Sequence, residues 1–353
     1  MYYFTQSQSL RADSVEFMSS FSPILTMQNN SSHPTTNCTL SSTETTHLLV
    51  AYLFFFSFPI AFLLNGIAAW VSFHLSPTST FIVYLKTLVG ADLLMTLMIP
   101  PMAASMLPGA ALEVRSFNCR YAGVIFFTSL YTSITLMGLI SLDRFFKIVR
   151  PLGKGFGQNI TTSIIMSSLV CVVLFGSTAI PTIVLTDQTP ENATKDICMS
   201  MKGPAGKTLH NYVVTSMEIL FWLITIMIVF CYICITLTVM QSFRNSGSKN
   251  NQGKKKTKLR VFSILLVYFV CFVPLHLLRI PFTIHETFDT SFCTPEGLLI
   301  AHQVSVWVSS TNACLDPFLY IHLCREYREK LDKMVKDSIV FVKSHFLTKK
   351  SNQ

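Results

Sequence analysis

Three groups of charged residues lie where the surrounding sequence is apolar, and their types and spacing suggest chemistry. The first is His276 and Arg279, within the stretch Phe269 to Phe282. They are three residues apart and so share one helical face. Pro274, just before them, removes a backbone hydrogen bond and kinks that helix. A cation this close to hydrocarbon faces a cavity, pairs with a partner, or snorkels to the interface. Two readings stand: a bent helix aims an arginine at an anionic ligand, or an arginine near a helix end reaches the headgroups. The second group is the carboxylates Asp92 and Asp316, each inside an apolar run. Like charges in low dielectric need a proton or a cation. The third is the pair Asp143-Arg144 at the end of another run. There the adjacent acid would neutralise the arginine at rest and lower the cost of keeping it at the inner edge of a bundle. No nucleophile–base set and no metal-ligand cluster stands out, so the residues do not indicate an enzyme.

The elements that hold these groups follow from composition. Of 353 residues, 50% are hydrophobic and only 13% are charged, about half the soluble average of roughly 25%. The apolar residues come in long runs, which makes this a polytopic membrane protein. Seven candidate spans run about Leu48–Phe73, Phe81–Ser105, Phe117–Phe146, Thr162–Leu185, Asn211–Met240, Leu259–Ile284 and Leu298–Leu323. Each is near the roughly 20 residues that a bilayer requires. Helices hide their own backbone polar groups in lipid, so the fold class is an all-α seven-transmembrane helix bundle. The chain divides into a polar tail (1–46), a membrane domain (47–323) and a basic tail (324–353).

Orientation comes from basic residues in short loops. Arg144, Lys147, Arg150 and Lys154 follow the third span. Lys254–Lys256, Lys258 and Arg260 precede the sixth, and Arg325, Arg328, Lys330, Lys333 and Lys336 follow the seventh. All fall on one face, which places the C-terminus inside and the N-terminus outside. The net charge of +9 gathers there, so it implies no nucleic-acid partner. Sequons at Asn29, Asn30 and Asn37, and another at Asn192, fall on the outer face as candidate glycosylation sites. Asn159 also begins a sequon, but this topology puts it inside and silent. No basic n-region leads an apolar core, so a cleavable signal peptide is not expected. The lysine run reads as a solvated loop near anionic lipid. Residues 323–342 mix apolar and charged positions at helical spacing, as in an amphipathic helix on the inner membrane leaflet. Cys324 there is either acylated or an inert thiol.

Single residues in most spans resemble landmarks of the rhodopsin-like G-protein-coupled receptors. Asn65 falls in Leu-Asn-Gly and Asp92 in Gly-Ala-Asp-Leu-Leu. Cys119 opens the third span and Asp143-Arg144-Phe145 closes it. Pro274 follows Cys271-Phe272, and Asp316-Pro317-Phe318-Leu319-Tyr320 ends the seventh span. The chain departs from the family at the fourth-span tryptophan, here Val172, and at the fifth-span proline, here Ile224. The resemblance implies a switch in which Asp143, Arg144, Tyr232, Pro274, Asp316 and Tyr320 couple the bundle to a heterotrimeric G protein. It implies a disulfide between Cys119 and Cys198, and a second between Cys38 and Cys293 as in the family's nucleotide receptors. It also implies an allosteric sodium ion among Asp92, Ser133, Asn312 and Asp316, with a shared proton as the alternative. No other cofactor is implied.

Four segments narrow the likeness: Ser79 to Lys86, Met199 to Pro204, His276 to Pro281 and Asn312 to Pro317. They resemble the metabotropic purinergic receptors, in the group that answers ADP and UDP-sugars through inhibitory G proteins and lowers cyclic AMP. That likeness places Arg279, His276, Lys202 and His210 on ligand-contacting positions. A diphosphate needs several donors at once, and arginine offers a planar fork for phosphate oxygens. Arg115 and Lys207 add outer positive charge that steers an anion inward. Tyr131 and Phe127 line the base or ribose side. Three residues differ from the group: His302 replaces a lysine, and Phe282 and Phe127 each replace a tyrosine. Each loses a donor, at about 0.5–1.5 kcal/mol per unmade hydrogen bond. A UDP-sugar or a lysophospholipid is the alternative ligand, the latter with its headgroup on the same Arg279. A transporter is the remote alternative and would show internal repeats or broken helices, which are not evident.

Overall fold

The computed structural model describes residues 40–149, 159–187, 197–245, 251–288 and 296–351. Their secondary structure is helical, with no strand among the described residues. The expected Cys38–Cys293 bridge and the sequons at Asn29, Asn30, Asn37 and Asn192 lie outside them.

The first six spans are Leu40–Phe73, Thr80–Ser105, Leu112–Ile148, Ile160–Val184, Pro204–Asn245 and Asn251–Phe288. Among the described residues, six helices are long and apolar enough by themselves to cross a membrane. The seventh crossing escapes that criterion because it breaks at Thr311 into Glu296–Ser310 and Asn312–Leu323, of 15 and 12 residues. The fifth and sixth spans are longer than expected. The sixth reaches back to Asn251, so Lys254–Lys256 stand on its first turns rather than in a loop.

The second and third spans are central. Their apolar windows are 61% and 67% buried, against 28% for the first, fourth and sixth. Large apolar side chains on outer spans, such as Phe56, Val172 and Ile226, are exposed, as expected of surfaces that face lipid. Val172, at the family's tryptophan position, is thus on the perimeter. Ile224, at the missing fifth-span proline, is buried. It fits because Gly138 of the third span has no side chain: a Cβ there would lie 3.0 Å from both Ile224 and Met227.

Polar side chains repair the backbone where prolines remove donors. Pro317 has no N–H to give the carbonyl four residues back. That carbonyl, of Ala313, instead accepts from Asn65 Nδ2 at 2.8 Å. The same amide lies 3.4 Å from Thr96 Oγ1 and so joins the first, second and seventh spans. Near the Pro274 kink, Ser309 Oγ donates to the Cys271 carbonyl at 2.7 Å.

The third and fourth spans each carry a π-helical turn, Asn118–Ala122 and Phe175–Ala179, near the end that the basic-loop rule assigns to the outside, called outer below. Such turns add a residue to the helix and re-aim its side chains. Asn159 caps the fourth span, its Oδ1 accepting from Thr161 N–H at 3.1 Å. The chain leaves the seventh span at Cys324, whose backbone is extended. The tail helix that follows is Arg325–Ser351, longer than the expected 323–342. Its start packs inward through buried Tyr327 and is tied to the first inner turn by Thr78 Oγ1 donating to Glu326 Oε2 at 2.8 Å.

Candidate functional site: an outer cavity and a switch beneath it

A cavity of about 350 Å³ opens between the outer halves of the second to seventh spans, within the size range of small-molecule sites. Cys198, joined to Cys119 with 5.0 Å between Cα atoms, belongs to its wall. The expected bridge therefore holds the short helix Ile197–Ser200 at the cavity and brings Lys202 with it.

Seven of the expected ligand residues line this cavity: Arg279, Lys202, His210, His302, Phe127, Tyr131 and Phe282. Lys202 Nζ lies 2.9 Å from His210 Nδ1. The lysine can only donate, so this histidine nitrogen is the acceptor. The Arg279 guanidinium lies over the Phe127 ring, 4.9 Å from its centroid, and Nη1 donates to the Tyr131 hydroxyl at 3.4 Å. His302 stacks on Phe282 with centroids 4.3 Å apart and planes 5° apart. Around these polar groups the wall is largely apolar, with Met102, Met106, Val124, Leu174, Val214 and Met217 among its members.

Two expected contacts require correction. His276 is not on the cavity wall; it is fully buried. It lies a turn deeper than Arg279 and is rotated toward the fifth span. There its ring stacks on Phe221 with centroids 3.5 Å apart, and Nδ1 bonds Glu218 Oε2 at 2.9 Å. Tyr131 stands edge-on against the same ring and separates it from the cavity. Arg115 does not line the cavity either. It belongs to the outer extension of the third span, Leu112–Phe117, beside His47. Lys207 is exposed at the outer end of the fifth span.

Beneath the cavity, Asp92 and Asp316 are fully buried and face each other. Ser133 Oγ donates to Asp92 Oδ1, and the Tyr320 hydroxyl to Asp92 Oδ2, each at 2.8 Å. Asn312 Nδ2 donates to Asp316 Oδ2 at 2.9 Å. The Oδ1 atoms of Asn312 and Asp316 are buried acceptors with no protein donor.

At the inner end, the expected Asp143–Arg144 pair is not formed. Adjacent helical residues do not face each other, whereas residues four apart do. Asp143 accordingly takes Lys147 Nζ at 2.7 Å and Thr80 Oγ1 at 2.8 Å. Arg144 lies instead over the Phe81 ring, 5.1 Å from its centroid. Tyr232 and Tyr320 are both buried.

Glu218 is the residue that sequence reasoning missed. The rule that singled out Asp92, an ionisable group within an apolar run, applies to it equally.

Residues 65–320 match the model of the 7 transmembrane receptor (rhodopsin family). The chain is 37% identical to human P2Y purinoceptor 13 over 83% of this chain and 82% of that protein. It is 36% identical to P2Y purinoceptor 14 of Bos taurus over 82% and 86%. It is 33% identical to mouse G-protein coupled receptor 87 over 81% and 80%. The chain therefore belongs to the rhodopsin family of seven-transmembrane receptors, in the branch that holds the P2Y purinoceptors. It is a multi-pass membrane protein and a receptor rather than an enzyme.

Proposed function

We propose that the chain is a plasma-membrane receptor for an extracellular nucleotide of the ADP type. It signals through inhibitory heterotrimeric G proteins and lowers cyclic AMP. The observation that carries this reading is the convergence of Arg279 with the Lys202–His210 pair on one cavity. Two permanent cations and two imidazoles suit a ligand rich in phosphate oxygens. The basic inner segments favour an extracellular N-terminus, with glycans on Asn29, Asn30, Asn37 and Asn192, and contact between the tail helix and inner-leaflet lipid.

In this reading the phosphates bridge Arg279 to Lys202, His210 and His302, and Phe127 and Tyr131 face the nucleoside. His276 acts from behind, through Tyr131. Drawing the outer end of the sixth span inward pivots it about Pro274. The inner end swings out, and Arg144, Tyr232 and Tyr320 form the groove for the G-protein α-subunit. A sodium ion fits Asp92, Ser133, Asn312 and Asp316, because two buried acceptor oxygens there lack donors. When bound, it supplies the positive charge that two buried carboxylates require.

The test is inhibition of cyclic AMP formation in cells expressing the chain, titrated with ADP and then UDP-glucose. Arg279→Ala abolishes the response without lowering surface expression; a normal dose-response in that variant refutes the assignment. A second reading, a lysophospholipid, is favoured by the apolar remainder of the wall. Its headgroup would use the same arginine, so competition between ADP and a lysophosphatidylserine at the cavity separates the two.

A further inference from the structure

The fifth and sixth spans are joined by two polar ties, one on either side of Pro274. On the outer side, Glu218 holds His276 through Oε2 at 2.9 Å and accepts from Trp222 Nε1 through Oε1 at 2.9 Å. On the inner side, the Tyr268 hydroxyl lies 3.0 Å from Thr225 Oγ1. Thr225 already donates to the Phe221 carbonyl at 2.8 Å, so the tyrosine is the donor. The Phe221 ring lies between the ties, within 9° of parallel to both His276 and Tyr268. Glu218, Phe221, Trp222 and Thr225 have the spacing of one helical face.

The two ties differ in what motion does to them. A bend at Pro274 displaces atoms in proportion to their distance from it. His276 is two residues from the pivot and Tyr268 is six, on the half that moves. Swinging the inner half away from the bundle must break the Tyr268–Thr225 bond and can leave Glu218–His276 intact. A small void of about 40 Å³, lined by Tyr268, Tyr232 and Tyr320 among others, adjoins the inner tie and gives the phenol somewhere to move.

We propose that Thr225–Tyr268 is a latch that holds the sixth span at rest, and that Glu218 positions His276 as the anchor against which it pivots. In most of the family a proline shapes the fifth span here. This chain has buried Ile224 at that position and places its polar ties one residue below and six above. The anchor rests on the pivot in the proposed function, the latch only on outward movement of the inner half of the sixth span, and neither on the ligand.

The test is ligand-free nucleotide exchange on a panel of purified G proteins, in membranes with matched receptor density. Tyr268→Phe and Thr225→Val each remove the bond at nearly constant volume. Each should raise basal exchange about three- to tenfold, the range one net hydrogen bond allows. Their combination should add nothing, since they share one bond. Glu218→Ala placed on Tyr268→Phe should abolish the gain, and Glu218→Gln, which keeps both partners in reach, should restore it. Basal exchange equal to wild type in both single variants overturns the latch. A gain indifferent to Glu218→Ala overturns the anchor. A gain that persists in Pro274→Ala refutes the pivot of the proposed function while sparing the latch.

Discussion

Phe282 and His302 are stacked face to face, one on the sixth span and one on the seventh, with ring centroids 4.3 Å apart. In the sequence they are two separate losses of a phosphate donor. In the structure they are one unit, because the shelf exists only when both are aromatic. The substitutions His302→Leu and Phe282→Leu each remove the shelf and should therefore be non-additive. A double-mutant cycle on agonist potency should give a coupling of about 0.5–1.5 kcal/mol, roughly two- to tenfold. Additive effects would mean that the rings act independently.

Arg279 is held by what lies beneath it as well as by its charge. Phe127→Leu removes the ring under the guanidinium and should weaken agonist potency by roughly two- to thirtyfold, from a cation–π contact of about 0.5–2 kcal/mol. Phe127→Tyr should retain it. Equal losses in both variants, by dose-response of cyclic AMP inhibition, would assign the effect to shape instead.

The cation and proton alternatives for the buried carboxylates separate in a sodium titration. With a cation between Asp92 and Asp316, agonist affinity depends on sodium at constant ionic strength, and Asp92→Asn removes that dependence. With a shared proton, neither protein responds to sodium against a choline control.

At the outer end of the fifth span, Gly206 passes so near the fourth that an added Cβ would lie 2.6 Å from the Leu185 carbonyl oxygen. That neighbour is backbone and cannot rotate away. Gly206→Ala should cost about 1–3 kcal/mol and lower both surface density and thermal stability in detergent, by a thermal-shift assay.

Cys324 lies beyond the seventh span, and burial pushes its thiol above the ordinary range. The thiolate is the reactive form, so raising the pH should be needed to expose it. Alkylation by iodoacetamide in native membranes, followed by mass spectrometry, should be slow at neutral pH and accelerate in the alkaline range. Fast labelling near neutrality would contradict the burial, and labelling that appears only after hydroxylamine treatment would show that Cys324 is acylated.

The fold was legible because lipid imposes a simple rule: apolar runs of fixed length must be helices. The seventh crossing is recognisable from its run and motif even though the helix breaks at Thr311. The cavity residues were legible as a set through the family likeness; of Arg279, Lys202 and His210, only Arg279 stood out by itself, as a charge within an apolar run. Their partners were not legible. That Asp143 prefers Lys147 to its neighbour follows from helical spacing and was available in the sequence. That His276 turns away from the cavity depends on Glu218, 58 residues earlier, and on a ring stack that no local pattern encodes. The π-helical turns at Asn118 and Phe175 have no signature in composition at all, yet they set which side chains reach the cavity.

The uninterrupted fifth span has a mechanical consequence. Its 42 residues, Pro204–Asn245, extend about 63 Å at 1.5 Å per residue, roughly twice the 30 Å thickness of a hydrocarbon core. With no proline inside it, this helix is a rigid rod overhanging both water boundaries, with exposed Lys207 near one end and Arg244 at the other. A rod pivoting in the membrane delivers a tilt at one end to the other with reversed sign and similar size. The receptor thus pairs two unlike transmitters side by side: a see-saw in the fifth span and an elbow in the sixth.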